Sequence, residues 1–493
     1  MTSLAEPTVD SRSTEGNALM FKLAVTSALA ALADWLFYGE PLGLSVAIFA
    51  VALIGGALVA NRISRDRRRI VTAGIIIVAG VIPVIEELGV VSFILLVLAL
   101  ATSVTIVTRP DMSGLRSYLT VLRDLLLVGP YRLVRDVVDG FDGPSVMTGI
   151  AVWFVPLALG AVFVVLFASA NPLIEQWLDL LKPGNGASNL GAGRLLFWIA
   201  AMSIVWPFIH IRWRRKVASD AAPAEPIAHE NHAAARWDHV LGRATILRSM
   251  ILFNLLFAVQ TALDMTYLWG NATLPAGLTY AAYAHRGAYA LMVTALLAGC
   301  FVLVAVRSGA ASEEPKLVRP LVYLWIAQNI MLVASSILRL KLYVETYLLT
   351  YWRITAFVWM LLVALGLVFI VARIAFERSN QWLIRTNVVA LIGVLYVCSL
   401  TNFAAIIADF DVMHSHEAGG SGVWLDTSYL ESLGPQALPA IDKAIQMGEF
   451  SSNLESRRDE LLDMQSHEMA SWRAWSFRGW RLRHDLDTHA TTG

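Results

Sequence analysis

The sequence predicts an all-α integral membrane protein of about eleven transmembrane helices, with a helical C-terminal segment outside the membrane. Composition is the first reason. Of the 493 residues 57% are hydrophobic and 15% charged, whereas a soluble domain carries about 25% charged residues; the mean hydropathy is +0.61. Second, apolar runs of roughly 20 residues recur, each long enough to cross ~30 Å of hydrocarbon. Third, the loops between these runs alternate between rich and poor in Lys and Arg. The net charge is zero and no large basic domain stands out, so no nucleic acid is expected as a partner.

Residues 1–18 are polar and lack a basic-then-apolar leader pattern, which predicts a disordered cytoplasmic tail. The spans are placed at 19–38, 42–60, 70–85, 88–107, 148–170, 194–211, 244–269, 288–306, 320–338, 354–374 and 386–407. Helices are required, because backbone polar groups in lipid must be satisfied within their own segment. The third span is short and holds Pro83, which predicts a tilt, a kink or incomplete crossing. Between the fourth and fifth spans, Leu115, Tyr118, Leu119, Leu122 and Leu126 recur at helical spacing, with Arg116, Arg123 and Asp124 elsewhere around the turn. That pattern suits an amphipathic helix over 113–139, lying on the cytoplasmic surface or packed on the bundle. The Ala/Pro-rich stretch 212–243 reads as a cytoplasmic linker. It divides a six-span half (19–211) from a five-span half (244–407).

Orientation follows from the loop charges. Loops 61–69, 108–147, 212–243, 307–319 and 373–385 hold 22 Lys and Arg, and the alternate loops hold 6. Lys/Arg-rich loops stay in the cytoplasm, so the N-terminus is inside and, after eleven spans, residues 408–493 are periplasmic. In that last segment "LDTSYLESLGPQALPAIDKAI" predicts two short helices meeting at Gly434-Pro435, and the stretch from Ser452 onward predicts one longer helical run. There Trp472, Trp475 and Trp480 alternate with Arg473, Arg478, Arg481 and Arg483. This mixture fits a helix packed on the membrane face, or a surface that stacks sugars or headgroups. Cys300 and Cys398 both fall in apolar helices, so structural disulfides are not expected.

Ionisable groups inside spans face protein or water rather than lipid. Asp34 lies near the outer end of the first span. Gln260 and Asp264, four apart and hence on one helix face, lie near the outer end of the seventh. His285 and Arg286 open the eighth, and the outer loop "RLKLYVETYLLTYWR" supplies Arg339, Glu345 and Arg353. All fall at one depth, which predicts an outward-facing polar pocket able to hold an anionic ligand through its arginines. The competing reading is that these groups pair with one another and tie helices together, with Asp264 and Arg286 as the obvious couple. Further on, "ADFDVMHSHE" brings Asp409, Asp411, His414, His416 and Glu417 close in sequence, a weaker candidate for a divalent metal without the HExxH spacing. The sequence has no Walker loop, no dinucleotide fingerprint and no nucleophile elbow.

The strings "ADWLFYGEPLGLSVAIF", "FASANPLIEQW", "AAYAHRGAYAL", "LYVETYLLTYWRITAFVWM" and "DTSYLESLGPQALPAID" resemble, in that order, the bacterial inner-membrane families catalogued only as domains of unknown function in the DUF4100 series. The resemblance runs from about residue 19 to about 480. It implies a bacterial inner-membrane location, and it brings no catalytic residues and no cofactor. Three functional classes remain: a non-enzymatic protein that senses or assembles, with a protein partner or anionic ligand on the periplasmic side; a transporter or lipid flippase; and an enzyme on a lipid-linked periplasmic substrate, using Asp264 or His285. The missing catalytic signature favours the first.

Overall fold

The computed structural model describes residues 9–61, 66–108, 122–123, 125, 132–133, 192–211, 243–270, 318–420, 423–448 and 453–492. The predicted spans 148–170 and 288–306, the linker over 212–242, and nearly all of the amphipathic segment 113–139 lie outside the described residues. Every element among the described residues is helical. Seven of these helices are long and apolar enough to cross a membrane, and two more, over Leu44–Ala60 and Leu196–Ile209, are apolar but shorter. The chain divides into two compact units, 1–215 with 465–493, and 216–464.

In the first unit, helices α1 (Val9–Phe37), α2 (Leu44–Ala60), α3 (Arg67–Glu86), α4 (Val90–Thr108) and α5 (Ala192–Ile209) pack around Leu29, Ala47, Leu53, Val84, Leu96, Leu100, Val205 and Phe208. The first helix begins at Val9, inside the stretch whose polarity predicts a tail. At the start of α3 the Asp66 carboxylate accepts from the Arg68 backbone N–H at 3.0 Å, an ordinary N-cap. The helix runs through Pro83: α3 continues to Glu86. Pro83 stands in the last turn, where only the final backbone hydrogen bonds are at stake. Helices α3 and α4 form a tight pair. A Cβ on Gly80 would lie 2.3 Å from the Ala99 Cβ, so glycine is what permits this approach. Ser92 closes the turn between them, accepting from the Gly89 N–H at 2.7 Å and donating to the Glu87 carbonyl at 2.8 Å.

The end of the chain completes this unit. The expected single long run after Ser452 is two helices, α13 (Asn453–Glu468) and α14 (Phe477–Thr492), separated by a turn. Their break has a partner-based cause. The carbonyls of Arg473 and Trp475 accept from the N–H groups of Ser45 (3.2 Å) and Leu44 (3.0 Å), donors that the first turn of α2 cannot satisfy internally. Gly43 allows this contact, since a Cβ there would meet the Ala474 backbone at 2.4 Å. Arg473 reaches Glu40 at 3.0 Å and lies over the Trp35 and Trp472 rings. Arg478 bonds Glu86 and Glu87, and Arg481 bonds Glu86. The basic-aromatic mixture is therefore a docking surface onto the helix ends of its own unit.

In the second unit α6 (Arg243–Asp264) runs on into a π-helical turn, Met265–Trp269, and packs on α7 (Val318–Tyr347). A turn over 348–350 leads to α8 (Tyr351–Ala375), and Ser379 caps α9 (Asn380–Leu400) by accepting from Trp382 N–H at 3.2 Å. The expected last span at 386–407 is corrected: α9 stops at Leu400, and α10 (Phe403–His414) starts anew with Asn402 as its N-cap. Asn402 also donates to Gln436 at 2.8 Å. From there α10, α11 (Thr427–Ser432), a 3₁₀ turn at Pro435–Ala437, α12 (Leu438–Met447) and the start of α13 form a small cap with its own core of Ile407, Val412, Leu430, Leu438, Ile441 and Leu461. The two short helices meet at Gly434, whose φ of +77° suits glycine.

Gly43→Val is expected to undock the turn before α14. The bulk displaces the Ala474 backbone and leaves two α2 donors unpaired, about 1–3 kcal/mol for each that stays buried. Limited proteolysis should cut residues 469–476 faster, while Gly55→Val, whose Cβ meets nothing within 4 Å, should leave the cleavage rate unchanged.

Candidate functional site

Among the described residues, the polar side chains singled out above take part in ion pairs and caps. In the second unit, Asp264 at the end of α6 is 1% exposed and Arg339 on α7 is 2% exposed. The Arg339 guanidinium donates to Asp264 Oδ1, and Gln260 Nε2 donates to the same oxygen at 2.9 Å. Burial makes such a pair hard to break, because each charge left alone would face a low-dielectric surrounding. The π-helical turn follows immediately. It carries Trp269 to where its indole N–H donates to Ser335 Oγ at 3.1 Å. One face of α7 thus holds the end of α6 through both Ser335 and Arg339.

His285 and Arg286 lie outside the described residues. Among the described residues Asp264 pairs with Arg339; the expected pairing with Arg286 lies outside them. Asp34 belongs to the first unit, where it joins α1 to α5: Arg194 Nε bonds its two oxygens at 2.9 and 3.1 Å, and a second guanidinium nitrogen bonds Oδ2. The Arg194 guanidinium also lies 5.5 Å from the centre of the Tyr38 ring. Glu345 faces Lys341 one turn back at 3.7 Å, both exposed, a pairing of little energetic weight. Arg353 folds back on the end of α7, donating to the carbonyls of Tyr347 (2.6 Å) and Leu348 over the Tyr343 ring. It thereby serves the orphan carbonyls of a helix C-terminus. Of the predicted pocket residues that are described in the second unit, Gln260, Asp264 and Arg339 come together.

The acidic and histidine-rich string is likewise divided among jobs. Asp409 pairs with Lys443 at 3.1 Å. His414 stacks on Phe410 and His416 on Trp424, and both Glu417 oxygens accept from the Leu425 N–H. Among the described residues no group of three or more His, Cys, Asp or Glu is placed to hold a metal ion.

Asp411 has the most consequential position. It is 4% exposed, and its Oδ1 accepts from the Leu349 N–H at 2.6 Å. Two residues on, the Tyr351 N–H donates to the Tyr429 hydroxyl at 3.0 Å. The cap thus supplies both acceptors for the turn that joins α7 to α8, where Leu348 takes the uncommon φ of +64°. Burial pushes the Asp411 carboxyl up to about 7, against the opposing pull of the Leu349 N–H and the charges of Arg353 and His414. Burial also raises the Tyr429 phenol. Sequence reasoning missed Arg194 and Tyr429. Nothing local marks either one: Arg194 is a lone cation at the start of an apolar helix and Tyr429 an ordinary tyrosine of a short helix until the fold brings each to its partner.

Asp264→Leu alone should destabilise the chain by about 3–5 kcal/mol, because it removes the carboxylate that the buried Arg339 guanidinium bonds. The double change Asp264→Leu with Arg339→Met should recover most of that loss. Thermal unfolding in detergent distinguishes the two; equal losses would mean that the residues are not acting as a pair.

Comparison with known proteins adds one match. The model of the family described as Domain of unknown function (DUF4153) covers residues 73–444. No curated protein and no solved structure matches the chain. The match begins within α3 and ends in α12, so it takes in helices of both units together with the Asp264–Arg339 pair and the Asp411 contact. With this family covering most of the chain, and with helices apolar and long enough for several crossings, the protein belongs to the DUF4153 family.

Proposed function

We propose that the chain is a non-enzymatic protein of a bacterial inner membrane that senses conditions on the periplasmic side, with its C-terminal cap as the receiving element. The reading takes eleven spans, a cytoplasmic N-terminus and a periplasmic cap. The charge asymmetry of the loops supports that orientation. So does the docking of residues 473–481 against Glu40, Glu86 and Glu87, which puts the chain end beside loops poor in Lys and Arg. The observation that carries the functional reading is the contact of Asp411 with the turn between α7 and α8. It is a buried titratable group of the cap holding the backbone that joins two apolar helices. A change in its charge alters the cap's grip on those helices without any chemistry being performed.

The sign follows from the direction of the shift. The folded chain holds the Asp411 proton up to about pH 7, whereas the unfolded carboxyl releases it near ~3.9. Folded protein therefore takes up the proton first as pH falls. Its contribution favours the folded, docked state below about 4, and that advantage is lost as pH rises through 7. Arg353 from α8, Tyr429 from α11 and His414 from the same helix are the other charged or titratable groups that act on it.

Asp411→Asn keeps an oxygen for the Leu349 N–H and removes the titration. Between pH 5.5 and 8 the wild-type chain should lose about 2 °C more in Tm than the variant, since one proton released over roughly 1.5 pH units is ~2 kcal/mol and ~1 kcal/mol shifts a chain of this length by about 1 °C. Identical pH profiles would remove the sensing role from this contact. A C-terminal alkaline phosphatase fusion that stays inactive would separately overturn the periplasmic placement.

A further inference from the structure

Midway along the apolar helices α6 and α7 lies a group of uncharged polar residues that no ion pair explains. Asn254 is 5% exposed, and Trp325 and Asn329 are each 1% exposed. On α7, Trp325, Gln328 and Asn329 share one face by their spacing. Asn254 joins them across the helix pair: its Nδ2 donates to the Leu321 carbonyl at 3.1 Å, and its own backbone carbonyl accepts from Gln328 Nε2 at 3.1 Å. Met250, Phe257, Val322, Ile326 and Leu332 form the apolar surroundings.

The amide nitrogens all point to main-chain oxygens. Asn254 also donates to Met250 at 2.8 Å and Asn329 to Trp325 at 2.8 Å. Those bonds fix which end of each amide is which, because a carbonyl cannot face an amide oxygen. They leave Asn254 Oδ1, Gln328 Oε1, Asn329 Oδ1 and Trp325 Nε1 buried with no hydrogen-bond partner among the described residues. A single orphan of this kind is uncommon, and each one needs an explanation. Here three acceptors and one donor share the middle of one helix pair.

The geometry points to a binding site for a monovalent alkali cation in this position, with a water completing its shell against the Trp325 N–H. Three neutral oxygen dipoles favour a small positive charge and disfavour an anion. A divalent ion demands carboxylate ligands, and the carboxylate further along α6, Asp264, lies ten residues on and bonds Arg339. By the ~1.5 Å helical rise that separation is about 15 Å. Binding at mid-depth between helices is also where ion-coupled membrane proteins place their ions. A cation held there links ion occupancy to the packing of α6 on α7, a role separate from the cap contact at Asp411.

The test uses purified full-length protein and thermal unfolding at constant ionic strength, with sodium, potassium or lithium chloride replacing choline chloride. The expected result is a saturable rise in Tm with sodium or potassium and none with choline. Asn329→Leu should raise the half-saturating concentration at least tenfold while remaining folded in choline. Should it fail to fold, Asn329→Asp serves instead: its added negative charge should lower that concentration and admit calcium. Equal Tm in all salts for the wild-type chain would overturn the site and leave ordered water as the occupant. The Asp411→Asn chain should keep the full salt response, so failure here is distinct from failure of the cap reading.

Discussion

The buried pair of Asp264 and Arg339 sets the terms for the second unit. Two charges with almost no exposure persist in such surroundings when they are paired, and separating them would carry a large desolvation penalty. That requirement fixes the rotation of α7 about its axis relative to α6. Once Arg339 is turned toward Asp264, Ser335 one turn back meets Trp269. Further back on α7, Gln328 meets the Asn254 backbone. The ion pair gives little net stability over an apolar pair of equal volume, and its effect is to exclude every other register of the two helices. The Asp34–Arg194 pair does the same for α1 and α5 in the first unit, with a fork geometry that specifies direction as well as distance.

The parts of this fold legible in the sequence are those governed by local rules. Apolar length places the helices, and cap residues place several of their ends: Asp66, Ser379, Asn402 and Asp426 each accept a backbone N–H one turn in. Gly434-Pro435 marks the junction of α11 and α12 for a local reason too, a positive φ followed by a residue that starts a turn. Pairing is different in kind. Nothing in the residues around Arg339 marks it as a partner for Asp264. That pairing depends on which helix packs against α6, a long-range fact. Asn254, Gln328 and Asn329 escaped notice for a further reason: a search for ionisable groups passes over amides, although in an apolar surrounding an unpaired amide oxygen is also costly.

The segment after Leu400 shows how a helix boundary can be set from outside. By composition, residues 386–407 make a plausible continuous span. The chain breaks at Thr401–Asn402 because Asn402 offers its side chain both to the Ala405 N–H and to Gln436 in the cap. The cap's core then uses Ile407 and Val412, which are fully buried there. Apolar residues that would have extended the span are better satisfied in a small globular core, so the helix restarts in a new direction. The same competition explains the turn at 469–476. A continuous helix would satisfy its own carbonyls internally, whereas the broken one gives two of them to α2.

A common device joins the C-terminal part of the chain to apolar helices in both units. The first N–H groups of α2 are met by the carbonyls of Arg473 and Trp475, and those at the entry to α8 by Asp411 and Tyr429. Helix termini are where backbone donors lack internal partners. A distant segment that supplies acceptors there is held by directional bonds in addition to apolar contact, so its attachment is specific. The two attachments differ in one respect that bears on function. Main-chain carbonyls have no titration, and the α2 contact is therefore insensitive to pH through its acceptors. Asp411 offers a carboxyl held near neutrality by burial. Of these two points only the one at the turn between α7 and α8 carries an acceptor whose charge can change near neutral pH, and for that reason the proposed sensing role falls to the cap rather than to the C-terminal turn.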